Sequence, residues 1–145
     1  MTEEIVSRLN ELLEAERAGV ETLARLGKEA EEADLKAAFE RIGRDESWSC
    51  QGLSRYITHL GGTPSSRTGD FADKVMVLPT LEERLRLLSR GQAWVVKRID
   101  ALLALDLDPG LKDFLADMRG LHVGNIRWCD EKIAHLGAQP VDRGA

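Results

Sequence analysis

Apolar residues recur along most of this chain at alternating steps of four and three, the spacing that places them on one face of an α-helix. In the first such segment the face consists of Ile5, Leu9, Leu12, Gly19, Leu23 and Leu26. No segment shows the period-two alternation of a half-buried strand. The pattern predicts an all-α domain whose helices cover about residues 2–27, 34–60, 80–104 and 110–137. Each apolar face must be buried against another.

The interval between the second and third helices, residues 61–79, is rich in Gly, Pro and Ser and lacks helical spacing. A connection of this length predicts a crossover that runs along the domain, whereas the short connections within each half predict two helical hairpins. Thr2 and Thr80 are the predicted N-caps, with Glu83 at the capping-box position of Thr80. The sequence therefore predicts one domain over residues 1–145, a four-helix bundle of two hairpins joined by a long crossover.

One offset relates the two halves of the chain. The tail "HLGGTP" at 59–64 matches "HLGAQP" at 135–140, a shift of 76 residues. The same shift aligns helix positions in three polar pairs: Glu16 with Gln92, Glu46 with His122, and Ser49 with Asn125. The sequence is thus interpreted as two copies of one helical hairpin that bury a shared core.

The six paired polar residues interrupt the apolar faces near the middle of each helix. If the repeat holds, they lie at one depth and converge on the axis of the bundle. Burying an unpaired carboxylate costs several kcal/mol, which is more than one leucine contact returns. These groups must therefore satisfy one another or hold a ligand.

At these positions the chain resembles the ferritin-like superfamily, in which each hairpin supplies a Glu from its first helix and a Glu-x-x-His from its second. The stretch "LNELLEAERAG", residues 9–19, is similar to the first-helix motif of small bacterial ferritin-like proteins, with Glu16 at the ligand position. The resemblance covers nearly the whole chain. It implies a ferritin-like four-helix bundle and, by analogy, a homodimer. The chain is similar to an uncharacterised bacterial branch, which implies a fold but no activity.

The chain departs from the superfamily's ligand pattern at four positions. Ser49 replaces the first His, Gln92 replaces the second-half Glu, His122 stands where the other Glu is expected, and Asn125 replaces the second His. Two carboxylates and one imidazole remain of the usual four and two. Two carboxylates do not readily neutralise and bridge two cations, so dimetal oxidase chemistry is not carried over.

Three interpretations of the polar layer stay open, and with them whether the protein is an enzyme. The first is a site for one transition-metal ion (Fe, Mn or Zn) held by Glu16, Glu46 and His122, with Gln92 or Asn125 in support. The second is a metal-free network left from an ancestral site, in a non-catalytic scaffold or interaction module. The third is a small-molecule pocket in which the Glu and His groups act as acid and base.

Composition excludes several other classes of function. The net charge is −5, and no clustered basic face is present, which argues against nucleic-acid binding. No apolar run approaches the ~20 residues of a membrane span, and the acidic first segment is unlike a secretory signal. The two cysteines form no CxxC or CxxCH motif, so we expect free thiols, no haem and a cytoplasmic protein. No nucleotide cofactor is expected.

Overall fold

The computed structural model describes residues 1–138, and all regular structure within them is helical. The elements are α1 (Thr2–Glu29), α2 (Ala33–His59), α3 (Phe71–Met76), α4 (Leu81–Leu103) and α5 (Pro109–Ala138). The all-α prediction is confirmed. Each end of the four long helices lies within two residues of its predicted position. The end of the second repeated tail, at 139–140, lies outside the described residues.

The long helices pack mainly as neighbours in sequence, α1 against α2 and α4 against α5, with further contacts between α1 and α4 and between α2 and α5. Their apolar faces form two separate clusters. One contains Leu9, Leu53, Ile99 and Leu115, together with other residues near the same ends of the helices. The other contains Leu23, Phe39, Leu85 and Cys129 and their neighbours. Every long helix contributes to both clusters.

The predicted polar residues lie between these clusters in the sequence of each long helix. Glu16 separates the two apolar stretches of α1, Glu46 those of α2, Gln92 those of α4 and His122 those of α5. Because each helix carries its polar interruption at the same point between the clusters, the core is divided by one polar layer.

Hydrogen bonds from α1 fix the first part of the crossover. Asn10 donates to the carbonyl of Thr63 at 3.1 Å and accepts from the backbone N–H of Ser65 at 2.6 Å. Arg17 donates to the carbonyls of Ser65 and Arg67 at 2.6 and 2.9 Å. These bonds hold residues 63–67 against α1, a few residues before α3 begins.

The short helix α3 was not predicted, because six residues are too few to show a helical period. It packs against α1 and α4. Val75 is buried, and Phe71 lies over Gly91 of α4, where a Cβ would come within 2.8 Å of the ring. Val77 follows the end of α3 and projects into solvent, with 77% of it exposed.

The helix ends test the predicted caps. Thr80 accepts from the backbone N–H of Glu83 at 3.2 Å, which confirms it as the N-cap. The carboxylate of Glu83 accepts from the hydroxyl of Thr80 at 2.9 Å and not from its backbone N–H, so the second bond differs from that of a capping box. Thr2 is already helical and Met1 stands at the N-cap without a side-chain bond, so the cap predicted at Thr2 is wrong. Within residues 1–138, no helix is both long and apolar enough to cross a membrane.

Candidate functional site

Four long helices bring four polar side chains together in the layer. Glu16, Glu46, Gln92 and His122 are all buried, with at most 4% of any of them exposed. One carboxylate oxygen from each Glu and one ring nitrogen of His122 lie within 4.8 Å of one another. The contacts of Gln92 with Glu46 and of His122 with both carboxylates connect side chains from opposite halves of the chain.

His122 is oriented by its own helix and faces both carboxylates. Its Nδ1 lies 2.8 Å from the carbonyl oxygen of Met118. Because a carbonyl only accepts, Nδ1 carries a proton and Nε2 faces the carboxylates. Nε2 lies 2.7 Å from Oε1 of Glu16 and 3.4 Å from Oε2 of Glu46. A neutral ring would therefore present the lone pair of Nε2, and a protonated ring an N–H, to the same two oxygens.

Gln92 supports the second carboxylate. Its Nε2 donates to Oε1 of Glu46 at 2.5 Å. The amide thus contributes a donor to Glu46 and no charge, at the position where a third carboxylate would have added one. Its own Oε1 has no hydrogen-bond partner.

Five buried side-chain atoms within residues 1–138 lack a hydrogen-bond partner, and all belong to the polar layer. They are Glu16 Oε1, Glu46 Oε2, Gln92 Oε1, His122 Nε2 and Asn125 Nδ2. The 2.7 Å contact between Glu16 and His122 is within reach of an ion pair but lacks the directionality of a hydrogen bond. The 3.4 Å contact between Glu46 and His122 is of the same kind, so three of the five atoms take part in contacts of ion-pair length. A buried polar atom left without a partner costs about 1–3 kcal/mol, so such a layer is a candidate for a bound ion or water.

Burial and mutual charge shift the protonation of these groups. Burial and the nearby charge of Glu46 raise the pKa of Glu16 well above its ordinary value. Burial also acts to raise the pKa of Glu46, but its close contacts with Glu16, with His122 and with the amide of Gln92 outweigh this and lower it. Burial acts to lower the pKa of His122, yet the two carboxylates raise it to about 11. Without a cation, burial therefore favours a proton on Glu16, and the two carboxylates favour one on His122.

The remaining two polar residues face other partners. Ser49 donates to the carbonyl of Asp45 on its own helix at 3.1 Å. Asn125 accepts from Nη1 of Arg41 at 3.4 Å. Among the described residues, no hydrogen bond joins either side chain to Glu16 or His122. The structure therefore brings together four of the five predicted site residues and pairs Asn125 with an arginine of α2.

Gly19 is a site residue that the sequence did not reveal. A Cβ at this position would lie 2.9 Å from Oε1 and 3.0 Å from Cδ of Glu46. The absence of a side chain one turn after Glu16 therefore makes the space that the second carboxylate fills. The available signal was the glycine within the apolar face of α1, at helical spacing from Glu16.

A cleft of about 460 Å³ leads to the layer from the side covered by α3. Glu16, Glu46 and Gln92 line it, together with Gly19 and Phe71. The sequence did not reveal this cleft, because its walls come from four helices, α1 to α4, and depend on how those helices pack together.

The chain belongs to the DUF6306 family, a domain of unknown function, whose sequence profile matches residues 3–131. The match spans all four long helices up to the last turns of α5 and includes every residue of the layer. No functionally curated protein matches the chain. Membership therefore defines the domain but assigns it no activity.

Proposed function

We propose that this member of the DUF6306 family binds one divalent transition-metal ion through Glu16, Glu46 and His122, with Gln92 in support. The observation that carries the proposal is the convergence of Glu16, Glu46 and His122, whose ligand atoms are buried, lie within 4.8 Å of one another and lack a directional hydrogen bond. The atoms without such a bond include an acceptor oxygen from each carboxylate, the amide oxygen of Gln92 and the Nε2 atom of His122. These are the atom types that bind such ions.

The charge and the orientation of the donors fit a divalent cation. Two carboxylates and a neutral imidazole carry a charge of −2, which a divalent ion balances inside an apolar core. The carbonyl of Met118 holds Nδ1 of His122, an outer contact that typically orients metal-binding imidazoles. Oxygen and imidazole donors suit Fe(II), Mn(II) or Zn(II). A bound ion would supply a Lewis acid or, for Fe or Mn, a redox centre.

The same proposal includes a ferritin-like four-helix bundle. Two pairs of adjacent helices, α1 with α2 and α4 with α5, are joined by the long segment that contains α3. The contact of Gln92 with Glu46 and that of His122 with Glu16 each join residues from different halves. These four residues are the positions equated by the offset of 76 residues. Such cross-half contacts are expected if the two hairpins are related by approximate symmetry.

One observation favours a metal-free alternative. The 2.7 Å contact of His122 with Glu16 and the 3.4 Å contact with Glu46 suit an imidazolium that is bound by two carboxyl groups. In this alternative the layer is a relic network that fixes helix register, and the protein is a non-catalytic scaffold or interaction module.

Metal analysis with charge-matched variants separates the two. Protein purified without chelator is exposed in turn to Fe(II), Mn(II) and Zn(II), desalted, and assayed for metal per chain. Glu16→Gln removes one ligand charge with almost no change in shape. Glu21→Gln is the control, because Glu21 is an exposed carboxylate on the same helix. The metal proposal expects close to one ion per chain in the wild type and the control, and a loss of at least tenfold in affinity in Glu16→Gln.

The outcomes are distinct. Equal metal retention by Glu16→Gln and Glu21→Gln would place any bound ion elsewhere. No retention of any of the three metals by the wild type would leave the metal-free network. Two ions per chain would contradict a mononuclear site and indicate further ligands in the layer.

A further inference from the structure

The cleft beside the polar layer has three chemically different parts. Its middle is apolar, with walls from Leu87, Leu88 and Val95 of α4 and from Phe71 of α3. Its volume of about 460 Å³ falls within the range of pockets that hold small organic molecules. It is therefore large enough for a ligand much bigger than a metal ion or a water molecule.

The mouth of the cleft is cationic. Lys74 and Arg90 are the exposed charged side chains that line it, and the side chain of Lys74 is 64% exposed. Nζ of Lys74 lies 3.4 Å from Oδ1 of Asp70. Because this ion pair is exposed to solvent, it restrains the lysine only weakly. Among the described residues, no hydrogen bond or ion pair of the Arg90 side chain is found. Two cations at the entrance of an apolar cleft favour an anionic group at that end of a ligand.

An indole forms part of the wall near this mouth. Trp94 lines the cleft and is 37% exposed, so part of its indole is open to a ligand in the cleft. The guanidinium of Arg98 lies 4.8 Å from the centroid of its ring, and Arg98 in turn pairs with Glu11 at 3.3 Å. The indole is therefore held in place while one part of it stays open to solvent.

The inner end of the cleft offers hydrogen-bond acceptors. Glu16, Glu46 and Gln92 line this end and are at least 96% buried. Each has a buried oxygen without a hydrogen-bond partner. A hydroxyl group at the inner end of a ligand would find an acceptor there, whereas a plain methyl group would leave these oxygens unsatisfied.

We propose that the cleft between α1, α3 and α4 binds a small amphipathic carboxylate. Its anionic group lies at Lys74 and Arg90, its aliphatic or aromatic body contacts Trp94 and the apolar wall, and a hydroxyl at its far end meets Gln92. This inference goes beyond metal binding and does not depend on it, because the charged mouth and the apolar wall are built from residues outside the Glu–Glu–His group, and only the inner end is lined by Glu16 and Glu46. The ligand end nearest the layer would also be the part closest to a bound ion.

The test uses four probes of matched length on chelator-treated protein: octanoate, octylamine, octanol and ω-hydroxyoctanoate. Binding is measured by calorimetry and by fluorescence of Trp94 in a Trp48→Phe/Trp128→Phe background. Those two tryptophans pack against Phe114 and Phe39 and do not line the cleft. We expect saturable binding of one octanoate per chain, at least about tenfold tighter than octylamine, since two cations surround the entrance.

Charge reversal at the mouth supplies the matched control. Lys74→Glu/Arg90→Glu should weaken octanoate binding by about tenfold or more. Lys36→Glu/Lys112→Glu makes the same change in net charge at two exposed positions away from the cleft and should leave binding unchanged. Equal weakening in both double variants would overturn the proposal, because it would show only a general charge effect.

The hydroxyl probe tests the inner end. An apolar pocket end would weaken ω-hydroxyoctanoate relative to octanoate by about tenfold or more, because the hydroxyl would lose its water. We expect ω-hydroxyoctanoate instead to bind at least as tightly as octanoate to the wild type, and more weakly than octanoate to Gln92→Leu. Preference for octylamine, or no saturable binding of either carboxylate at millimolar concentration, would refute the proposal. Because the protein is metal-free here, that result would leave the metal proposal untouched.

Discussion

Adding one methyl group at Gly19 tests the geometry of the layer without removing any of its polar groups. Replacing a mid-helix glycine by alanine stabilises a helix by about 1 kcal/mol when the new methyl has room. At Gly19 it would lie 2.9 Å from Oε1 of Glu46, whereas ordinary contact begins near 3.4 Å. The oxygen must therefore move by about half an ångström. This is the atom that accepts the 2.5 Å bond from Gln92, so the bond is strained or lost.

Gly124→Ala is the matched control, because Gly124 lies within α5 and a Cβ there meets nothing within 4 Å. The gain in helix propensity cancels between the two variants. Their difference in unfolding free energy therefore reports the disturbed contacts of Glu46, worth about 1.5–3 kcal/mol for a hydrogen bond to a charged group. We expect Gly124→Ala to be more stable than the wild type and Gly19→Ala to be less stable.

Urea unfolding of chelator-treated protein measures the stability of both variants, and calorimetric titration with Zn(II) or Mn(II) measures their affinity. If the metal site is as proposed, Gly19→Ala also loses at least tenfold in affinity while Gly124→Ala keeps that of the wild type. Equal stabilisation of both variants would refute the reasoning, because it would mean that the carboxylate of Glu46 does not occupy the space beside Gly19.

Two further predictions follow from the layer and from the packing beside it. The folded-state pKa of His122 is about 11, against about 6.5 when unfolded, so its stabilising effect is complete below about pH 6.5 and is lost as the pH rises towards 11. The unfolding free energy of metal-free protein, measured with urea, should therefore fall above neutral pH by at most about 1.4 kcal/mol per pH unit, and it should fall less steeply in His122→Gln. A flat profile would contradict the imidazolium. In Gly52→Ala the new Cβ would overlap the ring of Phe114, which packs directly against Gly52 of α2. The substitution should lower the free energy of unfolding, measured by heat or urea, by about 1–3 kcal/mol. Wild-type stability in Gly52→Ala would show that the two helices are farther apart there.

Much of the layer was predictable because it depends on register alone. A helical face has a fixed period, so a Glu that interrupts the leucines of α1 must lie at the depth of that interruption. One offset linked Glu16 to Gln92 and Glu46 to His122, and the structure places all four together. Asn125 shares the face of His122 but pairs with Arg41, and no sequence period predicts which long side chain reaches inward from another helix.

Other features depend on how the helices sit against one another, which periodicity does not report. The short helix α3 and the cleft beneath it arise because the crossover packs across α1 and α4. The space beside Gly19 matters only because Glu46 enters it from α2. The homodimer stays a prediction, since it concerns a surface between chains and not the register within one.

The charges of the layer explain how an apolar core can contain it. A proton on Glu16 and one on His122, the positions that burial and the carboxylates favour, would leave the metal-free layer with no net charge. With both carboxylates ionised, the imidazole neutral and a divalent ion bound, the net charge is again zero. A glutamate in place of Gln92 would disturb this balance in both states, whereas the amide adds a donor to Glu46 without adding charge. Binding of a divalent ion would therefore release protons from Glu16 and His122, so affinity for the metal should increase with pH as the stability of the metal-free protein declines.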